Sequence, residues 1–246
     1  MGYNGAVTDE LRRLRGAVRA LAERALAAAC DAPGHRPRAG TVVYRLTEAV
    51  PAARAALENP SGVLADPAAA LTDPWVRVQD GRGHTRPVYA SLARHLHGGE
   101  WLVPDGGTVD GRAWSRLIGE TAAFPADDLP PGDGPLHPRD PDDAPDHWTY
   151  RELTALHAWD ALAERFDDGA GRARVAAAAR WHVGHTQPDY TTYQPWALAA
   201  FARGPDTRGF AEQQLHDTQT QLAIHGGAGS VVAGLLLADA WTLLSP

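Results

Sequence analysis

The densest group of residues that could do chemistry lies at residues 180–196, RWHVGHTQPDYTTYQPW. His182 and His185 are three residues apart, so on a helix both imidazoles lie on one face. Histidine is the side chain best suited to moving protons near neutral pH. We therefore predict that His182 or His185 is the base or acid of an active site.

Further polar and aromatic side chains follow in the same stretch. Asp189 could orient the acting imidazole, and Tyr190 or Tyr193 could donate a hydrogen bond to a developing anion. Trp181 and Trp196 could enclose the substrate. The alternative is purely structural, because a histidine can cap a helix C-terminus, an aspartate can cap the next helix, and the rings can fill the junction.

A second polar segment, residues 210–225, is predicted to be a helix that lines the same cavity. Gln213, His216 and Thr220 fall on one helical stripe, and Asp217 lies on the neighbouring stripe. A solvent-facing helix ordinarily carries Glu and Arg, so amides and hydroxyls here favour a lined cavity. We assign His216 and Asp217 to the catalytic group, and Gln213 and Thr220 to substrate binding. An ordinary surface helix is the alternative.

A metal site on His182 and His185 is an open variant. A third ligand is needed, and the nearest acid, Asp189, follows a proline in a turn. The single cysteine, Cys30, leaves no Cys-pair metal motif, and all 23 basic residues are arginine, which excludes Schiff-base and Walker-type lysine chemistry. We predict no cofactor and no bound metal, with a metal-dependent hydrolase as the variant.

The composition limits the partners of the chain. Net charge −7 and a pI near 5.8 argue against nucleic acid or an anionic membrane as a partner. The N-terminus has no apolar signal core, and the apolar run at residues 228–244 is too short for a membrane span and contains Asp239. We predict a cytoplasmic protein of bacterial origin that acts on a small molecule, with a homodimer through the Arg-rich first helix as an open option.

Apolar periodicity and the abundance of Ala and Leu favour an all-α fold. Thr8 reads as the N-cap of the first helix, and Thr149 with Glu152 reads as a capping box. The predicted helices span residues 8–30, 49–57, 88–97, 111–124, 149–166, 172–185, 194–203, 210–225 and 230–244. Short turns between helices of this length indicate antiparallel helical hairpins in a single helical domain, residues 1–246.

The segment at residues 125–146 differs from the rest of the chain, because Pro, Gly and Asp dominate it. It is either a linker between two helical halves or a long loop over the surface. Asp140, Asp142 and Asp143 form the string DPDD, and DDAPD ends at Asp146. These strings match the aspartate-rich motifs of class II and class I terpene cyclases, although prolines interrupt them and no second acidic metal motif follows.

The helical hairpins and the Trp/His/Tyr-rich junction within residues 146–244 resemble the α/α-toroid group, which includes terpene cyclases and prenyltransferase β subunits. This resemblance implies an α/α-barrel (toroid)-like arrangement. The chain lacks the Asp-Cys-His zinc pattern of the prenyltransferases, so the resemblance does not extend to zinc catalysis.

These observations predict a small helical enzyme that performs cofactor-independent acid/base chemistry. The expected reaction is a cyclisation, elimination or isomerisation of an apolar or conjugated small molecule, of the kind found in biosynthesis. A non-catalytic helical binding or scaffold protein is the principal alternative, and the metal-dependent hydrolase is the second.

Overall fold

The structure is a computed structural model, and it describes residues 3–30, 43–45, 53–54, 57–58, 77–79, 92, 95–96, 108–119, 121–139, 144–186, 194–225 and 230–245. The bounds of seven α-helices are defined within these ranges: α1 (Tyr3–Cys30), α2 (Val109–Ile118), α3 (Pro145–Arg165), α4 (Gly169–His185), α5 (Leu198–Arg203), α6 (Arg208–His225) and α7 (Ser230–Leu243). The predicted fold class, all-α, is confirmed for the described residues.

Two three-residue strands are the exception to the helical pattern. β1 (Val43–Arg45) pairs in parallel with β2 (Arg77–Gln79), with Val43 opposite Arg77. The sequence pattern did not predict them, because runs of three residues are too short to show a strand period.

Several helix ends differ from the predicted ones. α1 begins at Tyr3, so Thr8 lies inside the helix and its predicted role as N-cap is wrong. α3 begins at Pro145, because proline suits the first helical turn, and the hydroxyl of Thr149 donates to the Pro145 carbonyl at 2.9 Å. The predicted capping box of Thr149 and Glu152 is therefore also wrong, and Glu152 is available for another contact.

The chain divides into two compact units, each made of separate stretches of sequence. The first contains Met1–Ala17 and Asp105–Asp217, and the second contains Val18–Pro104 and Thr218–Pro246. The boundaries between the units fall inside α1, before α2 and inside α6.

Helix α3 is the centre of the first unit. It packs against α2, α4 and α5, and 14 of its 21 residues are buried, so it lacks an outward polar face along most of its length. Trp159 on α3 is fully buried and meets the ring of Phe124 edge to face, with 5.8 Å between ring centroids.

A three-residue turn joins α3 to α4 as an antiparallel hairpin. Asp167 adopts a left-handed conformation with φ 50°, and the Asp168 carboxylate accepts the Gly171 N–H at 2.6 Å as the N-cap of α4. A Cβ on Gly171 would lie 2.5 Å from the ring of Phe124, so this close approach requires glycine. The turn directs α4 back along α3.

Helix α7 belongs to the second unit, and its described side chains from Val231 to Trp241 are all buried. Asp239 is a charged residue within this apolar helix, and its carboxylate lies 2.9 Å from Nε2 of His95. Gly234 approaches Leu26 of α1 so closely that a Cβ would lie 2.6 Å from a Leu26 methyl. No helix in the described ranges is long and apolar enough to cross a membrane.

Candidate functional site

A cleft of about 520 Å³ lies in the first unit, where the N-terminal end of α3 adjoins the C-terminal end of α4. This volume is within the range of small-molecule sites. The cleft is lined by Arg139, Pro145, Trp148, Thr149, Val183, Gly184, His185 and Thr186. The lining therefore joins one aromatic wall to a cation, an imidazole and two hydroxyls.

The indole of Trp148 forms the aromatic wall of the cleft. Its Nε1 donates to the carbonyl of His137 at 2.9 Å, and its ring meets the ring of Trp181 edge to face at 6.0 Å between centroids. Trp148 is 3% exposed. Both contacts fix the orientation of the ring, so the wall exists before any ligand binds.

His185 is the exposed imidazole of the cleft. Its ring stacks on Trp181 with 4.1 Å between centroids and 0° between planes, and its Nδ1 lies 2.7 Å from the Trp181 carbonyl oxygen. A carbonyl oxygen only accepts hydrogen bonds, so Nδ1 carries the proton and the neutral ring has its lone pair on Nε2. This fixed tautomer gives His185 the form of a base.

His182 lies behind the cleft wall and is fully buried. Its Nε2 is 3.2 Å from Oε1 of Glu152, and its Nδ1 is 3.3 Å from Oγ1 of Thr186, which lines the cleft. The imidazole therefore connects a buried carboxylate to a hydroxyl at the cleft wall.

Glu152 receives hydrogen bonds from three donors although it has no contact with solvent. Its Oε1 accepts the backbone N–H of Leu136 at 2.6 Å, and its Oε2 accepts the backbone N–H of His137 at 2.5 Å. These bonds and the imidazole of His182 replace the hydration that a buried carboxylate loses.

Arg174 binds backbone carbonyl groups of the segment that contains Leu136 and His137. Its guanidinium donates to the carbonyl oxygens of Pro130 at 2.6 Å, Gly134 at 2.9 Å and Pro135 at 3.0 Å. Burial lowers the pKa of Arg174, while the negative charges of Glu152 and Asp133 act in the opposite direction. Residues 125–139 contain a 3₁₀ helix (Ala126–Asp128) and otherwise form a loop, whose backbone at residues 130–137 is bound by side chains of α3 and α4.

The structure brings three of the predicted site residues together: Trp181, His182 and His185. The predicted residues Asp189, Tyr190 and Tyr193 lie outside the described residues, as do Asp140, Asp142 and Asp143 of the acidic strings. Asp146 is exposed in the first turn of α3.

Trp196 lies in the core of the first unit and does not line the cleft. It is fully buried and meets Trp114 at 6.2 Å and His157 at 5.5 Å between ring centroids. Its carbonyl accepts the side-chain amide of Gln214 at 2.9 Å. The described contacts of this tryptophan are those of a core residue.

The four predicted residues of the polar helix do not line the cleft either. Gln213, His216 and Thr220 are exposed, and the Gln213 amide donates to the Asp217 carboxylate at 2.8 Å across one helical turn. Thr220 also belongs to the second unit. The stripe predicted to face a cavity therefore faces solvent in the described structure.

The sequence did not lead us to assign four residues of this site: Arg139, Trp148, Glu152 and Thr186. Glu152 is 30 residues from His182, and nothing in the sequence measures the approach of α3 to α4. Thr186 is four residues after His182 at the end of a predicted helix, and that spacing is the one signal that could have indicated their contact.

Among the described residues, no group of three or more His, Cys, Asp or Glu side chains is placed to hold a metal ion. Both nitrogens of His182 already face Glu152 and Thr186, and Nδ1 of His185 faces a carbonyl. In this geometry the two histidines do not point a nitrogen each at a common position.

Comparison with known proteins identifies no relative of this chain. No family model, no curated protein and no solved structure matches it.

Proposed function

We propose that this protein is a small enzyme that performs cofactor-independent acid/base chemistry on a small molecule bound in the cleft. The observation that carries the proposal is His185, an exposed imidazole that lines the cleft and whose Nδ1 is fixed by the Trp181 carbonyl. A general base needs a lone pair in a defined position, and this hydrogen bond supplies it on Nε2.

The stacked indole supports the same role. When His185 accepts a proton, the imidazolium lies at 4.1 Å over the face of Trp181, and the π-system of an indole attracts a cation. The Trp181 carbonyl also carries a partial negative charge beside Nδ1. Both groups stabilise the protonated product of the transfer without moving.

We propose an apolar or conjugated small molecule as the substrate, as the sequence predicts. Trp148 is the aromatic part of a lining that also contains a guanidinium, an imidazole and two hydroxyls, and the volume of about 520 Å³ suits a molecule of one or two rings. The reaction class that we propose is the one that the sequence predicts, a cyclisation, elimination or isomerisation. Of the two histidines predicted as the base or acid, we choose His185 as the base that removes a proton from carbon.

A generic proton-transfer substrate tests this proposal. We choose 5-nitrobenzisoxazole, in which a base removes the ring C–H while the N–O bond breaks to give a nitrile and a phenolate. We expect turnover by the purified protein, and a loss of about 10²-fold in the His185→Gln variant, because glutamine has no basic nitrogen. The phenolate is measured by absorbance.

The matched control is His147→Gln, which makes the same substitution at an exposed histidine of α3 that does not line the cleft. This variant should retain wild-type turnover. Equal rates for wild type and His185→Gln, at unchanged melting temperature, would contradict the proposal and favour a non-catalytic binding or scaffold protein.

We further propose that the helices form an α/α-barrel (toroid)-like arrangement, as the resemblance of residues 146–244 implies. The antiparallel hairpin of α3 and α4, joined by a three-residue turn, is the element that supports it. A crystal structure tests this directly, and an open array of hairpins that does not close would contradict it.

A further inference from the structure

We infer that Thr186 is a second proton-transferring group of the cleft, connected through the imidazole of His182 to the carboxylate of Glu152. The inference rests on the proposed function for its substrate, but its geometry is independent of His185. Thr186 lines the cleft, whereas His182 and Glu152 are both 0% exposed and cannot touch a ligand. In this arrangement Thr186 is the catalytic residue, and the other two are positioning residues.

The hydrogen bonds of Glu152 determine where the proton of His182 lies. Two backbone N–H groups, those of Leu136 and His137, point at the two carboxylate oxygens and can only donate. They favour the ionised carboxylate, which can only accept. The third contact, at 3.2 Å, must therefore be donated by Nε2–H of His182.

This tautomer leaves Nδ1 of neutral His182 as an acceptor that faces Thr186. The Thr186 hydroxyl has one proton and two acceptors in reach, the Nδ1 atom at 3.3 Å and the His182 carbonyl at 3.0 Å. A rotation of the hydroxyl exchanges one for the other. In either orientation the hydroxyl proton is donated to His182, so Oγ1 keeps a lone pair that can accept a proton from a ligand in the cleft.

Two protons move in the proposed transfer step. A proton leaves a ligand atom and bonds to Oγ1 of Thr186 while the hydroxyl's own proton moves to Nδ1 of His182. The ring becomes an imidazolium beside the Glu152 carboxylate, so the buried pair as a whole becomes neutral. The reverse step returns one proton to the ligand, and no electrons are transferred.

A purely structural role for Glu152 predicts different observations. Binding of the loop at Leu136 and His137 needs the carboxylate, but it needs neither a particular tautomer of His182 nor a hydroxyl at position 186. The tautomer and the hydroxyl are therefore the two properties to measure.

The first measurement is nitrogen NMR of the full chain labelled with ¹⁵N-histidine, with His182→Asn used to assign the resonances. We expect His182 to carry its proton on Nε2. Thr186→Val should change the Nδ1 resonance, because valine keeps the shape but removes the hydroxyl, and Thr186→Ser should restore it. A proton on Nδ1 in the wild type, or no response to Thr186→Val, would overturn the inference.

The second measurement is the pH profile of 5-nitrobenzisoxazole turnover. Thr186→Val should lower the rate about tenfold and change the profile, and Thr186→Ser should recover both. Wild-type behaviour of Thr186→Val overturns the inference. If His185→Gln leaves turnover unchanged, or the probe is not turned over at all, the proposed function fails, and the NMR result alone then decides whether the connection through His182 exists.

Discussion

The Nε2 atom of His182 lies 3.2 Å from Oε1 of Glu152, and neither side chain is exposed to solvent. This contact joins α4 to α3, and through the other hydrogen bonds of Glu152 it also joins both helices to the backbone at Leu136 and His137. Removing one partner of a buried ion or hydrogen-bond network leaves the other without compensation, which costs more than the network contributes when intact. Since His182 also contacts Thr186 of the cleft lining, the contact connects the loop to the wall of the cleft.

Glu152→Gln should lower the free energy of unfolding by about 2–4 kcal/mol. The glutamine amide replaces one accepting oxygen with an NH₂ group, which meets a backbone N–H that also donates. Denaturant unfolding measures the loss. Hydrogen exchange should show faster exchange of the Leu136 and His137 amides than in the wild type.

The control is Glu212→Gln, since Glu212 is exposed on α6. This variant should unfold within about 0.5 kcal/mol of the wild type, as surface substitutions usually do. Unchanged protection of the Leu136 and His137 amides in Glu152→Gln would show that the carboxylate does not hold the loop.

Arg174→Met should release the loop from its carbonyl side. The substitution keeps an unbranched, apolar side chain but removes the donors to Pro130, Gly134 and Pro135, and we expect a loss of about 2–3 kcal/mol. Limited proteolysis should then cleave within residues 125–139 faster than in the wild type. Arg180→Met, at an exposed arginine of the same helix, should cleave at the wild-type rate.

The regular helices of this protein could be predicted from its sequence because their apolar spacing is local. In α1 the apolar residues recur at helical spacing, and four of the five are buried while Leu11 is half-buried: Leu11, Leu14, Val18, Leu21 and Ala25. Local spacing also indicated the nearness of His182 and His185, which share the last turn of α4.

The rest of the site depends on contacts between elements, which no local pattern encodes. Glu152 and His182 meet only because a three-residue turn directs α4 along α3. The residue types at Trp196 and His216 fitted a site, yet Trp196 is in the core and His216 is exposed on α6. Which face of a polar helix meets solvent is decided by the packing of its neighbours.

Gly171→Ala tests the packing that sets this turn. The added Cβ would lie 2.5 Å from the Phe124 ring, so the ring or the helix must shift. We expect the free energy of unfolding to fall by about 1–3 kcal/mol.

Gly169→Ala is the matched control, two residues earlier in the same helix with nothing within 4 Å of its Cβ. It should be neutral or stabilising by up to about 1 kcal/mol, because alanine favours helix. Equal effects of both variants in thermal unfolding would show that the contact with Phe124 does not constrain the turn.

The half-buried His95 and the buried Asp239 of the second unit should be coupled energetically. Asp239 is 3% exposed at its side chain within an apolar helix, and Nε2 of His95 lies 2.9 Å from its carboxylate. His95→Leu removes this partner and should destabilise the protein by about 3–5 kcal/mol. Adding Asp239→Leu to His95→Leu also removes the carboxylate whose charge must be compensated. The double variant should therefore be more stable than His95→Leu alone.

A double-mutant cycle from urea unfolding measures the coupling between the two residues. Additive effects of the two substitutions would mean that the 2.9 Å contact contributes no energy of its own, and that the carboxylate is held by its other neighbours.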